Sequence, residues 1–527
     1  MLKKLTLTAL LSFGLFSTYA QGWKKTYTTS GGDKVYLNDI KGLPDGGFIA
    51  AGETGGAAAG NAVLLRGNAQ GTVLWAQSYD ASGFERASKV SLHPDGGFVI
   101  AMNFLDTTNL NDNNVIFRSD TAGALVSGYE FTGNGVFVLQ DLEVTPTGNI
   151  MVVGNSASCP TNFGCGFVAA FDGLCSPLWS KSIEGGFVTN FYDVINTSDN
   201  QLLVTGSVLD MMASEKGFIA KMDSTGQMSW ANVFSGGFSS DRLYAATENA
   251  ALQGFVLVGA TLQSPISNYD ALVITTNTSG NVQNSGFAGG TEGDEARQVF
   301  SLTGSDVFVG GYSEVAVGLT IHPQGLNLQL DVSNGNISNG TLLGVTSNNE
   351  QVAAMVPEAA GNVYQVTQMD VFSGNARTDF VWNKTTAPGS VCNETNYTST
   401  TSLLNYTDAF GADTASLILT THVSALFSNP LIVTAADGCV NAGISSTENT
   451  LSAHLYPNPA HDFLMIDCAL AAAADLIVFN VNGERMLSQR ILSGRSLLDV
   501  RQLPAGNYMA HVSDGTNTAT LKFVVIR

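Results

Sequence analysis

Charge is scarce in this 527-residue chain: charged residues make up 13% of it, with 23 basic side chains against 44 acidic ones. The formal net charge is −21, and no stripe or tail rich in Lys and Arg interrupts it. Such a surface repels phosphate backbones and anionic headgroups, which excludes nucleic acid as a partner. Proline is sparse at 13 copies, whereas glycine reaches 57. Helical apolar periodicity of useful length is missing, and past the N-terminus no stretch is long and apolar enough to span a bilayer as a helix. What remains is an all-β protein with many tight turns. Catalytic signatures are missing too: no HExxH, GxSxG, P-loop or EF-hand pattern occurs, and the histidines (His93, His322, His422, His454, His461, His511) are scattered. The six cysteines form no CxxC or Cys/His cluster of zinc spacing, so neither a metal nor a cofactor is expected.

The N-terminus has the three parts of a secretory signal. Lys3 and Lys4 supply the positive region, Leu5 to Phe16 the apolar core, and Thr18-Tyr19-Ala20 a small-residue cleavage site, so residues 1–20 are expected to be removed. Export makes disulfides plausible. Cys159 and Cys165 flank a short loop and can pair locally, and Cys392 and Cys439 bracket one segment and can staple it. Cys175 and Cys468 are left over.

An internal repeat organises the next 370 or so residues. Trp23, Trp75, Trp179 and Trp230 fall on a ruler of about 52 residues, with Tyr129 filling the vacant mark. A turn followed by an apolar, β-branched run keeps the same spacing: Pro44-Asp45-Gly46-Gly47-Phe48, Pro94-Asp95-Gly96-Gly97-Phe98 and Pro146-Thr147-Gly148-Asn149-Ile150, with fainter copies at 199, 253, 305 and 361. A second turn column precedes the tryptophans: Asn68 to Gly71, Asp120 to Gly123, Asp223 to Gly226 and Asn277 to Gly280. In the third copy Cys175 replaces the glycine, which reads as recruitment of that site to another purpose. Each unit thus holds about four short strands. One small sheet cannot bury both faces alone, whereas sheets stacked around an axis can, so a seven-bladed β-propeller is expected over residues 21–391. An open β solenoid is the competing arrangement. The strand Trp23 to Tyr27 has no blade before it and is expected to complete the seventh, whose own pattern fades after Trp382. The turns and Trp-bearing strands resemble repeats of secreted Bacteroidetes β-propeller proteins. More faintly they are similar to kelch repeats at Val309-Gly310-Gly311-Tyr312 and to quinoprotein tryptophan-docking repeats at Asp223 to Trp230.

Residues 392–450 are rich in Thr, Ser and Asn and read as a β segment pinned by Cys392 and Cys439, followed by a hinge at Gly443 to Thr450. From 451 to 527 short alternating strands are separated by Asn-Gly and Pro-Ala-Gly turns, as in a small Ig-like β-sandwich. This series resembles the type A C-terminal sorting domain of the type IX secretion system. The match rests on Tyr456-Pro457-Asn458-Pro459, the strand ending at Asn482-Gly483, the turn Leu503-Pro504-Ala505-Gly506-Asn507-Tyr508 and a terminal strand carrying Lys522. The resemblance implies passage across the outer membrane, with the type IX machinery and its sortase-like peptidase as partners. It also implies a protein that is secreted or attached at the outer surface.

One column is a candidate ligand site. Five residues before the Pro44 position stand Asp39, Lys89, Asp141, Asp193, Ala246 and Arg297, which converge on one face if that end of each inner strand lines the channel mouth. The competing role is structural hydrogen bonding at strand ends. Three function classes follow: a surface binding or adhesion module for an extracellular glycan or protein, which repeats, acidity and sorting favour; a secreted polysaccharide- or peptide-degrading enzyme, which needs paired carboxylates at the mouth; and a structural envelope component.

Overall fold

A computed structural model describes residues 23–437 and 453–527, apart from loop residues within each range. The expected signal segment, Cys392, Cys439 and Gly483 lie outside the described residues. Two compact units divide between Cys439 and Val440. The first contains seven five-stranded antiparallel sheets. In the first sheet Val35–Gly42, Phe48–Thr54, Ala62–Gly67 and Val73–Asp80 run outward from an inner strand. Five further sheets repeat this order, their inner strands being Phe84–Leu92, Phe137–Val144, Val188–Asn196, Asp241–Asn249 and Asp294–Ser301. Blade 7 is composite: Asn348–Pro357, Val363–Val371 and Arg377–Lys384 are followed by the N-terminal strand Trp23–Thr29, which pairs with Arg377–Lys384. Each inner strand touches those of its two neighbours, and blade 7 touches blade 1, so the sheets form a closed cycle and not an open coil.

Strand alternation explains the packing. Along Phe48–Thr54, Phe48 and Ala50 enter the cluster shared with blade 7, while Ile49 and Ala51 enter the one shared with blade 2. All seven boundaries between neighbouring sheets hold such an apolar cluster. These strands are therefore apolar at consecutive positions, because both faces are covered.

The tryptophan ruler marks a docking contact between blades. Each Trp lies half-buried on the fourth strand against the second turn of the next blade. Trp23 Nε1 donates to Ala69 O at 2.8 Å, and Trp179 Nε1 donates to Ser224 O at 3.0 Å. Two or four residues along the strand a second donor reaches the turn glycine: Tyr79 OH to Gly123 O at 2.7 Å, Lys181 Nζ to Gly226 O at 2.6 Å, and Asn232 Nδ2 to Gly280 O at 2.9 Å. The turn is closed by its first residue, as where Asp120 Oδ1 accepts from the Ala122 and Ala124 amides. Its glycine has a φ of +77° at Gly71, and a Cβ there would lie 2.8 Å from the Trp23 ring. Backbone conformation and the tryptophan face both demand glycine.

The segment expected as a separate β element is part of the sheets. Glu394–Asn396, Thr400–Leu403, Thr407–Asp408, Asp413–Ser416, Thr420–His422, Phe427–Pro430 and Val433–Asp437 add one outer strand each to blades 6, 5, 4, 3, 2, 1 and 7 in turn. Each pairs antiparallel with the fourth strand of its blade, as Thr401 opposite Ala288 and Thr421 opposite Phe131. One stretch of about 45 residues thus makes a full circuit of the sheets, against the direction in which they were laid down.

The second unit has a three-stranded sheet (Ala453–Tyr456, Phe463–Cys468, Gly494–Asp499) and a four-stranded one (Arg485–Ile491, Ala474–Asn480, Gly506–Ser513, Thr518–Val525). Leu464 and Ile466 from the first sheet share one core with Leu476, Val478, Val512 and Phe523 from the second. Asn458 straps the entry segment to the last strand: its Nδ2 donates to Lys522 O at 3.1 Å and its Oδ1 accepts from Val524 N at 2.9 Å. Tyr508 OH closes its own turn on Pro504 O at 2.8 Å while the ring stacks on Phe523. Tyr456 and Lys522 face solvent.

Candidate functional site

Every inner strand of the seven sheets carries a β-bulge at the same place. The register slips between Leu37 and Asp39, Ala87 and Lys89, Leu139 and Asp141, and Phe191 and Asp193. It slips again between Leu243 and Ala245, Ala296 and Gln298, and Val352 and Ala354. A bulge places two residues opposite one and re-aims the extra side chain. The seven extra residues are Asn38, Ser88, Gln140, Tyr192, Tyr244, Arg297 and Ala353, and all seven line one cavity of about 450 Å³ inside the ring.

The predicted column therefore separates into two. Asp39, Lys89, Asp141 and Asp193 sit one residue past the bulge, whereas Arg297 is itself a bulge residue and Ala246 lies two past it. The three aspartates stitch blades together. Asp39 Oδ2 accepts from Val90 N at 2.9 Å, Asp141 Oδ2 from Val194 N at 3.0 Å, and Asp193 Oδ2 from the predicted Ala246, through its amide, at 2.8 Å. Lys89 lines the cavity and also reaches Asp141 Oδ1 at 3.2 Å. Burial pulls the Lys89 ammonium down, but Asp141, Asp39 and Asp193 outweigh it and hold the group above its ordinary value. Burial works against ionisation of Asp141, yet Lys89 and Lys41 keep it below the usual carboxylate range. Burial and the neighbouring Asp141 push Asp193 well above that range. Two residues further along, burial raises Glu143 to about 7 even though Lys41 opposes it.

The cavity itself is lined differently. Tyr192 and Tyr244 place their rings 5.2 Å apart, and the Arg297 guanidinium lies 4.0 Å from the Tyr244 ring centre. Glu295, behind the lining, anchors Arg297 Nη2 at 2.5 Å. Arg86 donates to Asn38 Oδ1 at 2.8 Å, and Gln368 Nε2 donates to Leu37 O at 3.1 Å. Among the described residues no carboxylate lines the cavity. Among the described residues no cluster of His, Cys, Asp and Glu is arranged to hold a metal ion, and no helix is long and apolar enough to cross a membrane.

Of the predicted disulfides, Cys159–Cys165 is formed. It closes a loop bridged to blade 4 through Gly164 opposite Val188. Cys175 is free and buried, and burial pushes its thiol up to about 12. That is the environment of an inert packing residue, which corrects the expectation of recruitment.

No curated protein matches the chain. Solved structures similar to it include Sqt1 from Chaetomium thermophilum, with a TM-score of 0.40 at 11% identity over 66% of this chain and 84% of that one. Another is the β-propeller domain of the Trilobed protease from Pyrococcus furiosus, described as having an open velcro topology, with a TM-score of 0.38 at 10% identity over 67% and 95%. Scores this low identify no relative, and the fold rests on the sheet topology above. The family model for the secretion system C-terminal sorting domain matches residues 454–526. The second unit is therefore a type IX sorting domain, and the chain is an exported protein, secreted or attached at the outer-membrane surface.

Proposed function

We propose that the seven-sheet unit is an extracellular binding module that takes its ligand in the cavity ringed by the bulge residues. The observation that carries this reading is the ring: all seven sheets bend at the same register to present a side chain there, and six of the seven are polar or aromatic. Bulges of this kind re-aim side chains towards a site, and a concave pocket with convergent polar groups is where ligands bind. The sorting domain delivers the module, and its removal by the peptidase of the secretion system fits the expected hinge at 443–450. Cleavage of a glycan or peptide is less well supported, because the carboxyls of Asp39, Asp141 and Asp193 are engaged with backbone amides of the next blade and do not line the mouth.

The test is capture of soluble polysaccharides by the purified protein, compared with Tyr192→Ala and Tyr244→Ala variants of unchanged thermal stability. Loss of capture in both variants is expected. Capture that survives both substitutions would place the ligand elsewhere.

A further inference from the structure

We infer that the cavity is built for a carboxylate-bearing saccharide, a uronic-acid type of residue; this deepens the binding-module reading and rests on it. Acidic residues outnumber basic ones almost two to one in the whole chain, yet the cavity wall reverses the ratio. Among the described residues three cations, Arg86, Lys89 and Arg297, line it, and no Asp or Glu does. Each cation is steadied from behind by a carboxylate outside the lining: Arg86 by Glu53 at 3.4 Å, Lys89 by Asp141 at 3.2 Å and Arg297 by Glu295 at 2.5 Å. The heads are thus held in position. The Arg297 head also lies on the Tyr244 ring, and its Nε is buried with no hydrogen-bond partner among the described residues. A planar guanidinium fixed in this way suits a carboxylate better than a diffuse charge.

The remaining wall argues for hydroxyl groups. Six carboxamides line the cavity: Asn38, Asn103, Gln140, Gln298, Gln351 and Gln368. A carboxamide both donates and accepts, as a hydroxyl does, so such a wall complements a polyol and gives little to an apolar ligand. Asn38, Gln351 and Gln368 are linked to one another or to backbone. In the neighbouring blade 2, Asn103 Oδ1 is buried with no partner among the described residues. The half-buried Tyr192 ring supplies apolar area for the C–H face of a sugar ring; Tyr244 is buried, with Tyr192 and the Arg297 guanidinium against its ring. Anion, hydroxyls and an apolar face together describe an acidic sugar, whereas inorganic phosphate uses only the cations and an acidic peptide such as oligoglutamate brings no ring face to the tyrosine.

The experiment uses the full mature chain in titration calorimetry with three probes: an oligogalacturonate, the same oligomer with its carboxyls methyl-esterified, and an oligoglutamate peptide. The expected result is binding of the oligogalacturonate that weakens with salt, with the ester and the peptide at least tenfold weaker. Arg297→Gln should lower affinity for the acid oligomer by about ten- to a hundredfold and affinity for the ester by a much smaller factor, with Arg297→Lys intermediate. Equal binding of acid and ester, both lost in Tyr192→Ala, would overturn the carboxylate inference and leave the cavity as a binding site for neutral sugar. Preference for the peptide would overturn the saccharide. Acid-oligomer binding indifferent to both Arg297→Gln and Tyr192→Ala would overturn the inference and the binding-module reading together.

Discussion

Cys175 and Tyr129 are exchanged together. Cys175, with a φ of 65°, occupies the turn position held by glycine at 71, 123, 226 and 280, and the residue facing that turn from the preceding blade is the half-buried Tyr129, not a tryptophan. Where the tryptophan is present, a Cβ at the turn would lie 2.8 Å from the ring at Gly123 and 2.6 Å at Gly226. The smaller tyrosine ring leaves room for a side chain, and the cysteine fills it.

Restoring only one member of the pair should therefore harm the fold. Tyr129→Trp should destabilise by about 1–3 kcal/mol through overpacking. Adding Cys175→Gly should recover most of that loss, giving a non-additive double-mutant cycle in denaturant unfolding. Additive effects would contradict the exchange. The same burial predicts that the Cys175 thiol reacts with an alkylating reagent only after unfolding.

Glu143 gives the seven-sheet unit a pH dependence of definite sign. Its carboxyl, beside Lys41, Asp141, Asp39 and the Asn196 amide, is raised by burial to about 7 from an ordinary 4.5. A group raised in the folded state favours folding when protonated, so stability is fully present below pH 4.5, falls as pH climbs and levels off above about 7. Asp193, also raised, adds to the same trend. Glu143→Gln keeps an acceptor for Asn196 and removes the ionisation. It should raise the melting temperature at pH 8 and change it little at pH 4, with a difference of at most about 2–3 kcal/mol. An equal effect at both pH values would rule the mechanism out.

How much was legible follows from these residues. The tryptophan ruler and the DGG turns showed the repeat because docking fixes residue types at fixed offsets, and Trp23–Thr29 was recognisable as a strand without a blade. The bulge was present as a pattern but misread. Leu37-Asn38-Asp39-Ile40, Leu139-Gln140-Asp141-Leu142 and Phe191-Tyr192-Asp193-Val194 all place two polar residues between two apolar ones, which breaks strand alternation by one residue. Counting back from the turn selected the second polar residue, which stitches blades, and missed the first, which lines the cavity. Arg297 was found only because the offset drifts by one residue in blade 6. The circuit made by residues 394–437 was hidden for another reason: strands of two to five residues held by backbone pairing need no characteristic side chains.

Export should depend on the second unit and binding should not. Deleting residues 454–527 should leave the seven-sheet unit inside the cell envelope and abolish its delivery to the surface, measured by protease accessibility on intact cells. Asn458→Ala should do less. It removes two hydrogen bonds to the last strand, at 2.9 and 3.1 Å, so partial export with a less stable sorting domain is expected.

The outer circuit predicts a difference between removing one strand and removing all seven. In stacked repeats each unit is stabilised by its immediate neighbours, so damage stays local. The segment 394–437 adds a physical link of a different kind, because one covalent stretch pairs with every sheet in turn. It also covers the fourth-strand edges, which would otherwise expose unpaired N–H and C=O groups to other chains. Thr401→Pro removes a pairing position in blade 5 alone, opposite Ala288, and should cost on the order of 1–3 kcal/mol with no aggregation. A chain ending at residue 392 loses all seven outer strands. It should melt at a clearly lower temperature and scatter light on warming, because seven sheet edges become free to pair between molecules. If the shortened chain melts unchanged and stays monomeric, the outer strands are ornament and the four-stranded sheets suffice. If Thr401→Pro alone produces the full loss, the circuit acts as a single cooperative strap whose interruption anywhere releases the whole.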